Sequence, residues 1–153
     1  MTPLFVSGMF RSGTTTLARA LNAHPDIACA SDPMTEFFKA LRTEVAADKQ
    51  QDVPVMAPLS DYYYDPAGLE LFDAMLGSAT MDRPFKAWTR QQLLERLVKR
   101  CTVYSGLLVP YLDNLQGETY RDIFESMLEQ IQFAYGGSQS QVIGIKEVWC
   151  TEF

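Results

Sequence analysis

Phe5-Val6-Ser7-Gly8-Met9-Phe10-Arg11-Ser12-Gly13-Thr14-Thr15-Thr16-Leu17 is the stretch that decides the fold. Leu4 to Ser7 is short and apolar, the mark of a buried strand. Gly8 to Gly13 is a loop bounded by glycines. From Thr14 to Ala23 the spacing is helical, with Leu17, Ala20 and Leu21 on one face, and Pro25 stops the helix just past its last turn. Glycines let such a loop turn tightly enough for successive N–H groups and the helix N-terminus to face one anion. Ser12, Thr14 and Thr15 add hydroxyl donors, and Arg11 adds a planar fork suited to phosphate or sulfate oxygens. The glycine spacing is that of a P-loop, G-x-x-x-x-G, but Thr14 stands where the lysine belongs. In P-loop kinases and NTPases that lysine reaches the β- and γ-phosphates, so its replacement disfavours ATP chemistry. An ordinary strand-to-helix turn capped by Ser or Thr is the plainer alternative. It leaves several hydroxyls gathered around an arginine without a reason.

Ile27 to Ala30 reads as a second short strand, completing a strand–helix–strand unit that implies a parallel sheet. Asp32-Pro33 breaks the chain, and Met34 to Ala47 has the pattern of the next helix. Asp48 to Asp65, with Pro54, Pro58 and Tyr62-Tyr63-Tyr64, reads as a loop. Helices are expected at about Ala67–Leu76, Thr89–Val103 and Glu118–Tyr135, the last with Ile123, Phe124, Met127, Leu128 and Ile131 at core spacing. Gly136-Gly137-Ser138 ends that helix, and Val142 to Ile145 is a third strand. The expectation is an α/β fold of the P-loop kind, a parallel sheet with helices on both faces. No joint separates two segments that each build a core, so residues 1–153 count as one domain.

At 153 residues and 47% hydrophobic, the chain has enough apolar mass for one core. No run approaches the about 18 apolar residues of a membrane span, and no basic-then-apolar leader opens it. A formal charge of −6 argues against nucleic acid as a partner, since that affinity rests on a basic footprint. It leaves room for an anionic small ligand held by a local cluster of donors. Cys29, Cys101 and Cys150 are odd in number and far apart, and His24 is the single histidine, so no metal site is expected. Free thiols in a reducing cytoplasm account for them.

The residues from Phe5 to Leu17, followed by Asn22-Ala23-His24-Pro25-Asp26, resemble the 5′-phosphosulfate-binding loop of the sulfotransferases, which share the nucleotide-kinase fold and use 3′-phosphoadenosine 5′-phosphosulfate (PAPS). The likeness is specific from Phe5 to Pro33 and thin beyond, apart from Gly144-Ile145-Lys146-Glu147. It implies sulfuryl transfer to a hydroxyl of a small molecule or sugar. It also implies that Arg11, Ser12, Gly13, Thr14 and Thr15 grip the 5′-phosphate and sulfuryl group, with Arg11 assisting the leaving phosphate. Lys146 resembles the lysine of the family's Lys-Asp/Glu-Pro element near the sulfuryl group, although Val148 replaces the proline. A solvated strand-end lysine is the other reading.

Such chemistry needs a base for the acceptor proton. Asp32 follows the second strand directly and belongs at the carboxyl end of the sheet, where these folds place ligands. In the protein-tyrosine sulfotransferase branch a base glutamate lies at a similar point. Asp32 is either that base or a turn residue capping the Met34 helix, with Glu36 as the second candidate. His24 reads as a surface residue closing its helix, and Arg96, Lys99 and Arg100 as a solvated helix face. Tyr62, Tyr63, Tyr64, Phe85 and Trp88 read as core or lid before acceptor pocket. The family's 3′-phosphate site, an Arg and a Ser after the third strand, has no counterpart before Phe153. With three strands where four or five are usual, the expectation is the N-terminal part of a sulfotransferase domain. Alone it should be weakly active and prone to associate through an open strand edge, a homodimer being one such outcome. Two alternatives remain open, a P-loop kinase or other phosphate-binding enzyme, and a non-catalytic remnant of the fold.

Overall fold

The computed structural model describes residues 2–8, 12–48, 77–86, 89–136 and 140–148. Three strands, β1 (Thr2–Val6), β2 (Ile27–Ser31) and β3 (Val142–Lys146), form a parallel sheet in the order β1-β3-β2. The last strand is therefore the central one. In register, Val6 and Ser31 both lie opposite Lys146, so all three strands end on one line.

Alternation along the strands divides two cores between the faces of the sheet. Ala28, Ala30, Ile143 and Ile145 point to the larger one. There they meet Phe37 and Leu41 of α2 (Thr35–Asp48), Leu97 and Cys101 of α3 (Arg90–Tyr104), and Tyr120, Met127 and Ile131 of α4 (Tyr120–Ile131). Val6 and Cys29 point the other way, onto Ala18 of α1 (Thr14–Leu21), with Leu4 and Leu21 beside them. Helices thus cover both faces of the described sheet. On α1 Ala18 is buried and Leu21 partly so; Leu17 and Ala20, expected on one face with Leu21, are exposed, Leu17 by 50%. Gly144 allows β1 to approach β3, since a Cβ there would stand 2.1 Å from the Leu4 carbonyl oxygen.

Local chemistry sets the helix ends. α3 begins in a capping box, with Gln92 N–H donating to Thr89 Oγ1 and Thr89 N–H to Gln92 Oε1. Thr119 and Asp122 do the same for α4. Gly106–Asn114 forms a 3-10 helix that periodicity does not reveal, and it places Leu108 and Leu112 in the core. α4 is shorter than expected from the sequence and passes into a π-turn at Gln132–Gly136. The helix expected at 67–76, Tyr62-Tyr63-Tyr64, Trp88 and Cys150 lie outside the described residues.

Candidate active site

The ends of the strands put three chain segments side by side. β1 leads through Ser7 and Gly8 toward α1. β2 runs into Asp32, whose N–H donates to the Lys146 carbonyl at 2.6 Å. β3 runs into Glu147, whose N–H donates to the Val6 carbonyl at 3.0 Å. Side chains of residues 32, 146 and 147 are thereby fixed by backbone bonds that extend the sheet by one residue.

In the loop, Arg11 lies outside the described residues. Ser12, Gly13 and Thr15 are exposed and Thr14 is partly so. Gly13 caps α1 in the left-handed region at φ 83°, a conformation glycine adopts without cost, and no side chain caps the first turn. The N–H groups of that turn are thus left to face outward, as anion binding requires. Gly8 fills the inside of the bend: a Cβ there would stand 2.9 Å from both Ser12 Oγ and Thr14 Cγ2. An uncapped helix start of this kind can accept a phosphate or sulfate oxygen.

Lys146 and Asp32 meet at 2.6 Å, Nζ to Oδ2, with side chains only 4% and 7% exposed. A solvated strand-end lysine is therefore excluded. Asp32 does not cap α2 either. Glu147 takes that place, accepting from Met34 N–H at Oε1 and from Thr35 Oγ1 at Oε2, 2.8 Å. Asp32 adopts φ 52°, which aspartate tolerates better than most residues, and Ser31 Oγ donates to its Oδ2 at 3.3 Å. Burial pushes the Glu147 carboxyl up to about 7, opposed by its bonds to Thr35 and Met34 and by Arg100, and aided by the Asp32 charge.

Arg100 corrects the reading of a solvated helix face. Its Nε donates to the Asp32 carbonyl at 3.1 Å, its Nη2 stands 4.0 Å from Asp32 Oδ1, and its guanidinium lies over the Tyr104 ring, 4.0 Å from the centroid. Arg96 bonds Glu36 at 3.3 Å, and Lys39 holds the same carboxylate at 3.3 Å. Glu36 is thus committed to two cations. Ser105 completes the surround, donating to the Ser31 carbonyl at 2.6 Å and accepting from Ser31 N–H at 3.0 Å. No sequence signal points to Arg100 or Ser105, because each reaches the site from about 70 residues away in the chain.

His24 is exposed, and its Nδ1 accepts from Asp26 N–H at 3.2 Å, which fits a helix-closing turn. Its neighbour Asn22 has the more structural role, since its amide both donates to and accepts from the Cys29 backbone at 2.7 Å. Phe85 packs on the core, 5.0 Å from the Tyr120 ring. Cys29 and Cys101 are buried free thiols, pushed up to about 11 and about 12 by burial. Among the described residues, no group of three or more His, Cys, Asp or Glu is placed to hold a metal ion, and no helix is long and apolar enough to cross a membrane.

The model of the sulfotransferase family matches residues 3–105, two thirds of the chain. The match runs well past Pro33, through α2 and α3 to Ser105, and so takes in Arg100. Lys146 lies beyond it and joins the site through its place on the central strand. Neither the curated proteins nor the solved structures give a match.

Proposed function

The chain belongs to the sulfotransferase family, and from that premise we propose that it transfers a sulfuryl group from PAPS to a hydroxyl of a small molecule or carbohydrate. The observation that carries the proposal is the buried Asp32–Lys146 pair at the carboxyl end of the sheet, level with the end of β1. A lysine and a carboxylate held together in this position supply the cation and the base that sulfuryl transfer asks for.

Bound PAPS supplies the sulfuryl group and departs as adenosine 3′,5′-bisphosphate. The chain's own residues do the rest. First-turn N–H groups of α1, with Ser12, Thr14 and Thr15, hold the 5′-phosphate oxygens. Arg11 supports charge on the leaving phosphate. Lys146 Nζ compensates charge on the sulfuryl oxygens, and Asp32 takes the proton from the acceptor hydroxyl as the new S–O bond forms. The medium we propose is a reducing cytoplasm, for which the two buried free thiols are the support.

Thermal shift distinguishes this reading from a phosphoryl-transfer enzyme. Adenosine 3′,5′-bisphosphate is expected to raise the melting temperature of the protein more than Mg·ATP does at equal concentration. A larger shift with Mg·ATP would favour the kinase reading.

A further inference from the structure

Asp32 is held unequally. Its Oδ2 accepts from Lys146 and from Ser31, while Oδ1, buried, accepts no hydrogen bond from the described residues. Arg100 stands beside Oδ1, with Nη2 at 4.0 Å. That guanidinium is already aimed. Nε is fixed on the carbonyl of Asp32 itself at 3.1 Å, the plane rests on Tyr104, and the side chain is 20% exposed. Only a short swing separates Nη2 from a hydrogen bond to Oδ1.

The pair with Lys146 poses a conflict. If Nζ turns to a bound oxyanion, a buried carboxylate loses its hydrogen-bonded counter-ion, and an uncompensated buried charge is costly. We propose that Arg100 is a positioning residue that takes over Asp32 when Lys146 turns to a bound oxyanion. Nη2 closes on Oδ1, and the carboxylate keeps a hydrogen-bonded counter-ion and its orientation while the lysine is released. The inference rests on the role given to Lys146 under the proposed function, and it adds a residue of α3 to a site otherwise built from strand ends and the loop.

The arrangement makes Asp32 a competitor of the anion for Lys146, and Arg100 the group that weakens the competition. A double-mutant cycle on anion binding tests this. Titration calorimetry with inorganic pyrophosphate, on the natural full-length protein, is run for wild type, Arg100→Met, Asp32→Asn and the double variant. Arg100→Met is expected to weaken binding roughly tenfold in the wild-type background and less than about twofold beside Asp32→Asn. Arg100→Lys, which keeps charge but not the fork, should recover part of the loss. Equal losses in both backgrounds would overturn the proposal, because Arg100 would then act on the anion directly. So would no loss in a folded Arg100→Met protein, or no pyrophosphate binding by wild type. If Arg100→Met does not fold, the cycle is run with Arg100→Lys, with a loss of about threefold expected in the wild-type background only. Adenosine 3′,5′-bisphosphate binding no tighter than pyrophosphate would count against the donor proposed for the reaction, while the cycle would still decide the role of Arg100.

Discussion

Lys146 Nζ lies 2.6 Å from Asp32 Oδ2, joining two nearly buried side chains 114 residues apart. The sheet makes the contact inevitable, because Ser31 and Lys146 are partners in register and Asp32 continues β2 by one residue. Its energetics are asymmetric: the intact pair adds little over an apolar pair, but either half alone is expensive.

Removal of one partner should therefore unfold the protein more easily than removal of both. Lys146→Met is expected to cost about 3–5 kcal/mol, and Lys146→Met with Asp32→Asn appreciably less. Asparagine tolerates the left-handed φ at position 32, so the comparison leaves the backbone undisturbed. Urea unfolding of the three variants measures it. Equal costs for the single and double variants would show that the charges are not coupled.

Glu147 makes a pH prediction of opposite sign to the usual carboxylate. Its folded-state pKa is raised from 4.5 to about 7. The stability it contributes is present below the unfolded value and is lost as pH rises through about 7. Glu147→Gln keeps an acceptor oxygen for α2 and removes the titration. Its urea midpoint is expected to lie near that of wild type at pH 4 and above it at pH 8. A gap that shrinks with rising pH would mean that Glu147 is held as a carboxylate by its bonds to Met34 and Thr35.

Gly144→Ala tests the close approach of β1 and β3. The added Cβ would meet backbone, Leu4 O at 2.1 Å and Leu4 C at 2.8 Å, so neither strand can yield by a side-chain rotation alone. A loss of about 3 kcal/mol is expected from thermal or urea unfolding. Because Lys146 follows two residues later on the same strand, weaker pyrophosphate binding should accompany it. Wild-type stability in this variant would remove the steric argument.

β1 has one partner among the described residues, and Phe5 on it is 45% exposed. Self-association of the 153-residue polypeptide through that edge is the expected behaviour, and Phe5→Lys should reduce it. Light scattering reads the outcome, since a strict 17.3 kDa species at high concentration would contradict it.

The sequence is most legible where local rules act alone. The strand β1 and helix α1, the parallel sheet and the core face of α4 all follow from period and punctuation, because burial of one face dictates them. The capping boxes of Thr89 and Thr119 are a further local signal, which the helix bounds expected from periodicity do not use. The helix at Gly106–Asn114 escapes because Pro110 and a run of apolar residues show neither period. Asp32 and Lys146 each stand out separately, as the residue that ends a strand. Their contact needs β3 to be central, and nothing local fixes strand order. Arg100 and Arg96 read as a solvated face because a helix surface looks the same in sequence whether water or a carboxylate lies opposite.

The most direct measurement is sulfuryl transfer itself, followed with radiolabelled PAPS and a panel of hydroxyl acceptors, using the natural full-length protein. Transfer by wild type is the predicted result. Both Arg11→Ala and Asp32→Asn should lower kcat by about 10²-fold or more, with adenosine 3′,5′-bisphosphate binding nearly intact in the latter. Transfer undiminished in Asp32→Asn would take the base away from this pair. No transfer from PAPS to any acceptor, by a folded protein that binds Mg·ATP in preference, would contradict the proposed function as a whole.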